Sequence, residues 1–188
     1  MSFWDALLGR TRVPPARTDS LFDLSTAIIT LETKLGWKPS GRAGIVLRPA
    51  TDSLYTEAQG ETEELVALAA QEMESRLQTK KDEYDYFWLL LEDPDWEDLV
   101  SLAHMAGKNL KDNGAGDRLL AAVFGLKKEE KELYIIFNYK RGRFYPFIPL
   151  GFKRRDNAQE MRIVSVMDKE LPWEKDISRW YPLWDCPV

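Results

Sequence analysis

Histidine and cysteine are nearly missing from this chain, with one of each, His104 and Cys186, in 188 residues. A zinc centre takes about three or four protein ligands, so neither residue can build one alone. A single cysteine also forms no internal disulfide, which fits a reducing compartment. Long apolar runs are lacking as well. Nothing approaches the ~18 residues of a membrane-spanning helix, and residues 1–10 lack the basic stretch and long apolar run of a signal peptide. The cytoplasm is therefore the expected location, with peripheral contact at the inner face of the membrane left open. Positive charge is in deficit, 26 Lys and Arg against 31 Asp and Glu, for a net charge of −5. That argues against broad binding to nucleic acid or anionic lipid, although a local patch can override the average.

What the chain does have is aromatic and aliphatic bulk. Seven Trp, seven Tyr and eight Phe, within a 44% hydrophobic total, suffice for a sizeable core. Phe3, Trp4, Leu7 and Leu8 lie on one side of a short helix that Gly9 can end, and Pro14-Pro15 marks a linker. Residues 1–16 thus read as a short N-terminal helix and proline linker, and residues 17–188 as one α+β domain. Leu21, Leu24, Ile28, Leu31 and Leu35 recur at helical spacing, with Ser20 and Asp23 placed as a capping box and Gly36 as a stop. A second helix is expected over 61–77, where Val66, Ala69, Met73 and Leu77 share a side, and a third carries Trp96, Leu99, Ala103, Ala106 and Leu110. A last helix starts near Asp156, with Gln159 in the capping position.

Strands are expected over 43–48, 84–91, 119–126, 133–139 and 144–150. Pro146 and Pro149 cannot donate to a ladder, which sends the last of these to an edge. The tail, 173–188, is aromatic and aperiodic. The layout is α+β, a mostly antiparallel sheet of about five strands with helices packed on it.

No catalytic motif emerges from this pattern. His104 sits among polar helical neighbours and reads as a surface histidine, and no exposed nucleophile elbow accompanies it. Gly114-Ala115-Gly116 follows a helix and precedes a strand, the reverse of a phosphate-binding loop. The acidic runs Asp82 to Asp85 and Glu92 to Asp98 lack calcium-loop spacing and read as solvated helix starts and strand ends. No catalytic, cofactor-binding or metal-binding residue is assigned, and no cofactor is expected.

The most distinctive stretch runs from Asn138 to Pro149, with Lys153-Arg154-Arg155 close behind. Lys140, Arg141, Arg143, Arg154 and Arg155, beside Tyr139, Phe144 and Tyr145, could dock an acidic protein surface or stack and clamp nucleic acid, or be no more than a charged turn over a packed core. Phe3 and Trp4 form a second candidate contact, either packed on the domain or offered to a partner or membrane interface.

Several stretches, in order along the chain, carry a resemblance: Phe3-Trp4-Asp5-Ala6-Leu7-Leu8-Gly9-Arg10, Ser25-Thr26-Ala27, Asp98-Leu99-Val100 to His104-Met105, Asn138-Tyr139-Lys140-Arg141-Gly142 with Phe144-Tyr145-Pro146-Phe147, Arg154-Arg155-Asp156-Asn157-Ala158, and Ser178-Arg179-Trp180-Tyr181-Pro182-Leu183-Trp184. Together they resemble the PspA-associated protein PspAB family. The resemblance implies a cytoplasmic accessory protein of the phage-shock, envelope-stress system, without an established enzyme activity or cofactor. Its layout is also loosely similar to the YbjN and type III secretion chaperone folds. The resulting expectation is a non-enzymatic adaptor or chaperone-like protein that binds a protein partner, PspA or another membrane-stress component, with a homodimer left open. The competing readings are a carboxylate-based hydrolase or nucleotide-handling enzyme, and an RNA-binding module using the basic-aromatic hairpin.

Overall fold

A computed structural model of the protein describes residues 18–49 and 53–188. The expected N-terminal helix and proline linker, with Phe3 and Trp4, lie outside the described residues. A 3-10 turn, Thr18–Phe22, leads into helix α1, Asp23–Thr33. Leu21, Leu24, Ala27 and Leu31 are fully buried, the stripe that spacings of three and four predict. The start departs from the expected capping box. Phe22, in helical conformation and without a side-chain cap, stands at the N-cap, because the 3-10 turn enters the helix directly. The stop is as read: Gly36 has φ 76°, and Trp37 N donates to Leu31 O at 2.9 Å, a Schellman-type end.

Strand β1, Lys38–Leu47, is followed by α2, Ser53–Glu72, β2, Arg76–Lys81, β3, Phe87–Glu92, and α3, Trp96–Asp112. Then come β4, Leu119–Lys128, β5, Lys131–Asn138, β6, Arg143–Phe147, and α4, Asn157–Val166. The strands form one open antiparallel sheet in the order β2-β3-β1-β4-β5-β6. Six strands rather than about five result because β2 replaces the end of the expected second helix. Helix α2 stops at Glu72, Glu74 takes φ 58°, and Ser75 N closes on Ala70 O at 2.8 Å. A glutamate thus fills the left-handed place that usually signals itself with glycine.

Strand β6 occupies an edge, as Pro146 within it requires. Phe144 N donates to Pro172 O at 3.0 Å and Glu174 N to Phe144 O at 2.8 Å, so the start of the tail runs along the outer side of that strand.

Alternation along the strands builds two cores. Toward the helices point Ile45, Leu47, Leu89, Leu91, Ala122, Phe124, Ile135 and Phe137, packed under α1, α2 and α3. Toward the other side point Val46, Trp88, Val123, Tyr134, Ile136, Tyr145 and Phe147, and there the cover is the irregular tail, through Trp180, Leu183 and Val188. Gly44 and Gly125 make a recess for Val188: a Cβ on Gly44 would lie 2.7 Å from Val188 Cγ2, and one on Gly125 3.3 Å from Val188 Cγ1.

Candidate functional site

The hairpin between β5 and β6 turns on Asn138, whose buried side-chain oxygen accepts from Lys140 N at 3.0 Å and Arg141 N at 3.2 Å. Gly142, at φ 62°, completes the reversal. The aromatic side chains assigned to a contact surface point inward. Tyr139 lies against α3, with its hydroxyl donating to Ala103 O at 3.3 Å, and a Cβ on Gly107 would lie 2.7 Å from that hydroxyl oxygen. Phe144 belongs to the core under the helices and Tyr145 to the core under the tail. Strand alternation explains this, because a five-residue strand between two covered faces has no outward side. Burial drives the hydroxyls of Tyr139 and Tyr145 far above the ordinary tyrosine value.

The cations divide. Arg141 pairs with the buried Glu174 at the head of the tail. Arg155 is bound more deeply. Its Nε meets Glu160 Oε2 at 2.9 Å, its Nη1 donates to Trp180 O at 2.6 Å and its Nη2 to Pro146 O at 3.1 Å, and its guanidinium lies 5.1 Å from the Phe147 ring centroid. Glu160, fully buried, also accepts from Ile148 N at 2.8 Å. Burial raises its carboxyl above the ordinary value, against the opposing pull of Arg155. Lys140, Arg143 and Arg154 remain exposed, but Arg154 lies beyond the opposite end of β6 from the other two. The single basic-aromatic cluster of the sequence is therefore two structural latches and two separate charged corners.

His104 also differs from expectation. Its side chain is only 14% exposed, because the 3-10 turn folds over it: the Phe22 ring lies tilted at 42° with 4.4 Å between centroids, and His104 Nε2 lies 3.3 Å from Asp19 Oδ1. The acidic runs serve as caps, in keeping with their reading as element ends. Asp95 accepts from Glu97 N and Asp98 N at the start of α3, and Asp82 accepts from Tyr84 N, Tyr86 N and Trp88 Nε1. Asp93, expected to be solvated, is buried and accepts from Ser75 Oγ and Asp95 N. Among the described residues no cluster of His, Cys, Asp or Glu could hold a metal ion. The free thiol of Cys186 is pushed up to about 12 by burial, a poor nucleophile at neutral pH.

A concave feature lies where the tail crosses the sheet. It is a groove of about 420 Å³ with Trp88 and the tail stretch Pro182 to Pro187 along it, Lys80 and Lys81 from the end of β2, Asp82, Glu83 and Tyr84 from the turn after it, and Lys153 from the loop after β6. Tyr84 is 58% exposed. Glu83 beside it raises its hydroxyl pKa. Lys80, Lys81 and Lys153 are exposed and have no ion-pair partner among the described residues. Asp82 is occupied by three internal hydrogen bonds, while Glu83 and Asp185 are exposed along the groove, so a ligand meets the three lysines against two carboxylates. Sequence reading missed this site because its parts come from three separated segments; the one local signal was the polar run Lys80-Lys81 leading into an exposed tyrosine.

The family model for PspA associated protein B, PspAB, matches residues 1–188, the whole length of the chain. The chain belongs to the PspAB family. No curated protein and no solved structure matches it. In this PspAB protein no helix among the described residues is long and apolar enough to cross a membrane. The family description, association with PspA, agrees with the resemblance carried by the sequence motifs.

Proposed function

We propose that this protein is a non-enzymatic accessory factor of the PspA system that holds an acidic segment of a protein partner, PspA or another component of that system, in the groove between the β2–β3 turn and the tail. The observation that carries this reading is the groove's lining: three lysines without ion-pair partners, outnumbering the exposed Glu83 and Asp185, around the exposed ring of Tyr84 and the prolines and Trp184 of the tail. Interfaces favour such aromatic side chains at their centre, and charge complementarity steers and orients the partner. Of the side chains assigned to a contact from sequence, Arg143 is exposed for a secondary contact, whereas Tyr139, Phe144 and Tyr145 contribute through the fold.

Titration of purified PspA into the full chain by calorimetry tests the reading. Lys81→Glu combined with Tyr84→Ala is expected to weaken binding by about tenfold or more, since exposed aromatic anchors and aligned charges at interfaces carry effects of that size. Both positions are exposed, so the fold is retained. An affinity equal to that of the parent would sink the assignment of the groove.

A further inference from the structure

The loop joining β6 to α4 holds three consecutive residues in the left-handed region: Gly151 at φ 75°, Phe152 at 49° and Lys153 at 53°. Glycine enters that region freely, but for a bulky side chain it is an outlier that persists only where the surroundings impose it. Here they do. Leu150 N donates to Arg154 O at 2.8 Å, Arg154 N to Gly151 O at 3.0 Å, and Asp156 N to Ile148 O at 2.9 Å. Pro149 and Arg155 form an antiparallel bridge, and Arg155 is fixed by Glu160 and by the Pro146 and Trp180 carbonyls.

The outcome is a tight turn that presents Phe152 to solvent, 95% exposed, far beyond Leu68 at 63% and Ile29 at 62%. Leu150 beside it is 42% exposed. Lys153 and Arg154 follow directly, exposed and without an ion-pair partner among the described residues. A ring so exposed has little protein surface around it to form the water-excluding rim of a protein hot spot. An apolar tip flanked by cations instead complements a lipid interface, where the ring and Leu150 enter the acyl boundary and the ammonium and guanidinium groups meet lipid phosphates.

We propose that the Leu150 to Arg154 loop is an anchor for an anionic lipid surface, adjoining at Lys153 the groove proposed for the protein partner. The net charge of −5 opposes such contact over the molecule as a whole. Charges farther than about 8 Å are screened at physiological ionic strength, so the phosphates at the tip respond chiefly to Lys153 and Arg154.

Co-sedimentation of the full chain with phosphatidylcholine vesicles, with and without phosphatidylglycerol, tests the proposal. The parent is expected to partition onto the anionic vesicles, and added salt is expected to weaken that binding. Phe152→Gly removes the ring while suiting the left-handed backbone, so it stays folded; it should lose about tenfold in partitioning, the scale of burying one large apolar side chain. Arg154→Glu should lose at least about fivefold, the scale of one cation near an anionic surface. Ile29→Ala, at an exposed apolar site on α1, should bind as the parent does, and Phe152→Gly should keep its affinity for PspA. No binding to anionic vesicles, equal binding to both vesicle types, or parental binding by Phe152→Gly would each overturn the proposal.

Discussion

Glu160 has no solvent exposure and the Arg155 side chain only 17%. The two are therefore held to each other more tightly than any surface pair, and losing one partner strands the other. Arg155→Ala leaves a buried carboxylate and frees the carbonyls of Pro146 and Trp180 from their donor, which should cost about 3–5 kcal/mol. Glu160→Gln keeps an acceptor for Ile148 N and leaves Arg155 its two carbonyl partners, so it should cost less, about 1–2 kcal/mol. Urea unfolding of both variants checks the order; a milder loss for Arg155→Ala would show that the guanidinium is not the hub of this corner. None of this was visible in Lys153-Arg154-Arg155 read as a line of charges. Three adjacent cations look alike in sequence, yet one lines the groove, one faces solvent and one is half-buried in an ion pair, and only the fold of the loop distinguishes them.

At the scale of elements, helix α4 depends on Asp156, whose carboxylate accepts from Gln159 N at 3.1 Å and Gln159 Nε2 at 2.8 Å and lies 3.4 Å from Lys131 Nζ. Burial alone would raise this carboxyl, but the Gln159 hydrogen bonds and the Lys131 ammonium outweigh it and hold it below the ordinary 3.8. A carboxylate lowered in the folded state stabilises the protein above the unfolded value and loses that contribution as pH falls through the folded one. Asp156→Ala should therefore cost about 1 kcal/mol at neutral pH, with the gap to the parent closing in acid below 3.8. Denaturation midpoints of the two proteins across acid to neutral pH measure this, and a gap independent of pH would contradict it. The run ahead of α3 showed a helix start without singling out Asp95 as its cap. The Asp156 cap was legible, because a short acidic side chain before an apolar stripe has few other local uses. The end of α2 was not, since Glu74 takes the position where glycine would have announced a stop. Nor was β2: Arg-Leu-Gln-Thr-Lys-Lys on an exposed edge has no buried face to impose a two-residue period.

For the molecule as a whole, the sheet is covered by regular helices on one side and by an aperiodic tail on the other. The helical side was legible from hydrophobic spacing. The tail side was not, because an irregular cover has no period to show that its aromatics serve the chain itself. Trp180 donates its indole N–H to Glu174 O at 2.8 Å while its ring packs on the sheet. The attachment of this cover rests on the recess at Gly44, so Gly44→Ala should push Val188 away and destabilise the protein by about 1–3 kcal/mol. Cys186, half-buried beside the docked tail, reports the event: its thiol should react faster with a disulfide reagent in the variant than in the parent, where desolvation keeps it protonated. Parental labelling rates would show that the tail docks without the recess. The order of synthesis gives this architecture a temporal meaning. Every strand leaves the ribosome before Pro182 to Pro187, so a nascent chain has a sheet with one bare aromatic face and no groove. A partner held in the groove would thus meet only chains whose tail has docked, whereas copies with the aromatic face uncovered are substrates for chaperones and proteases.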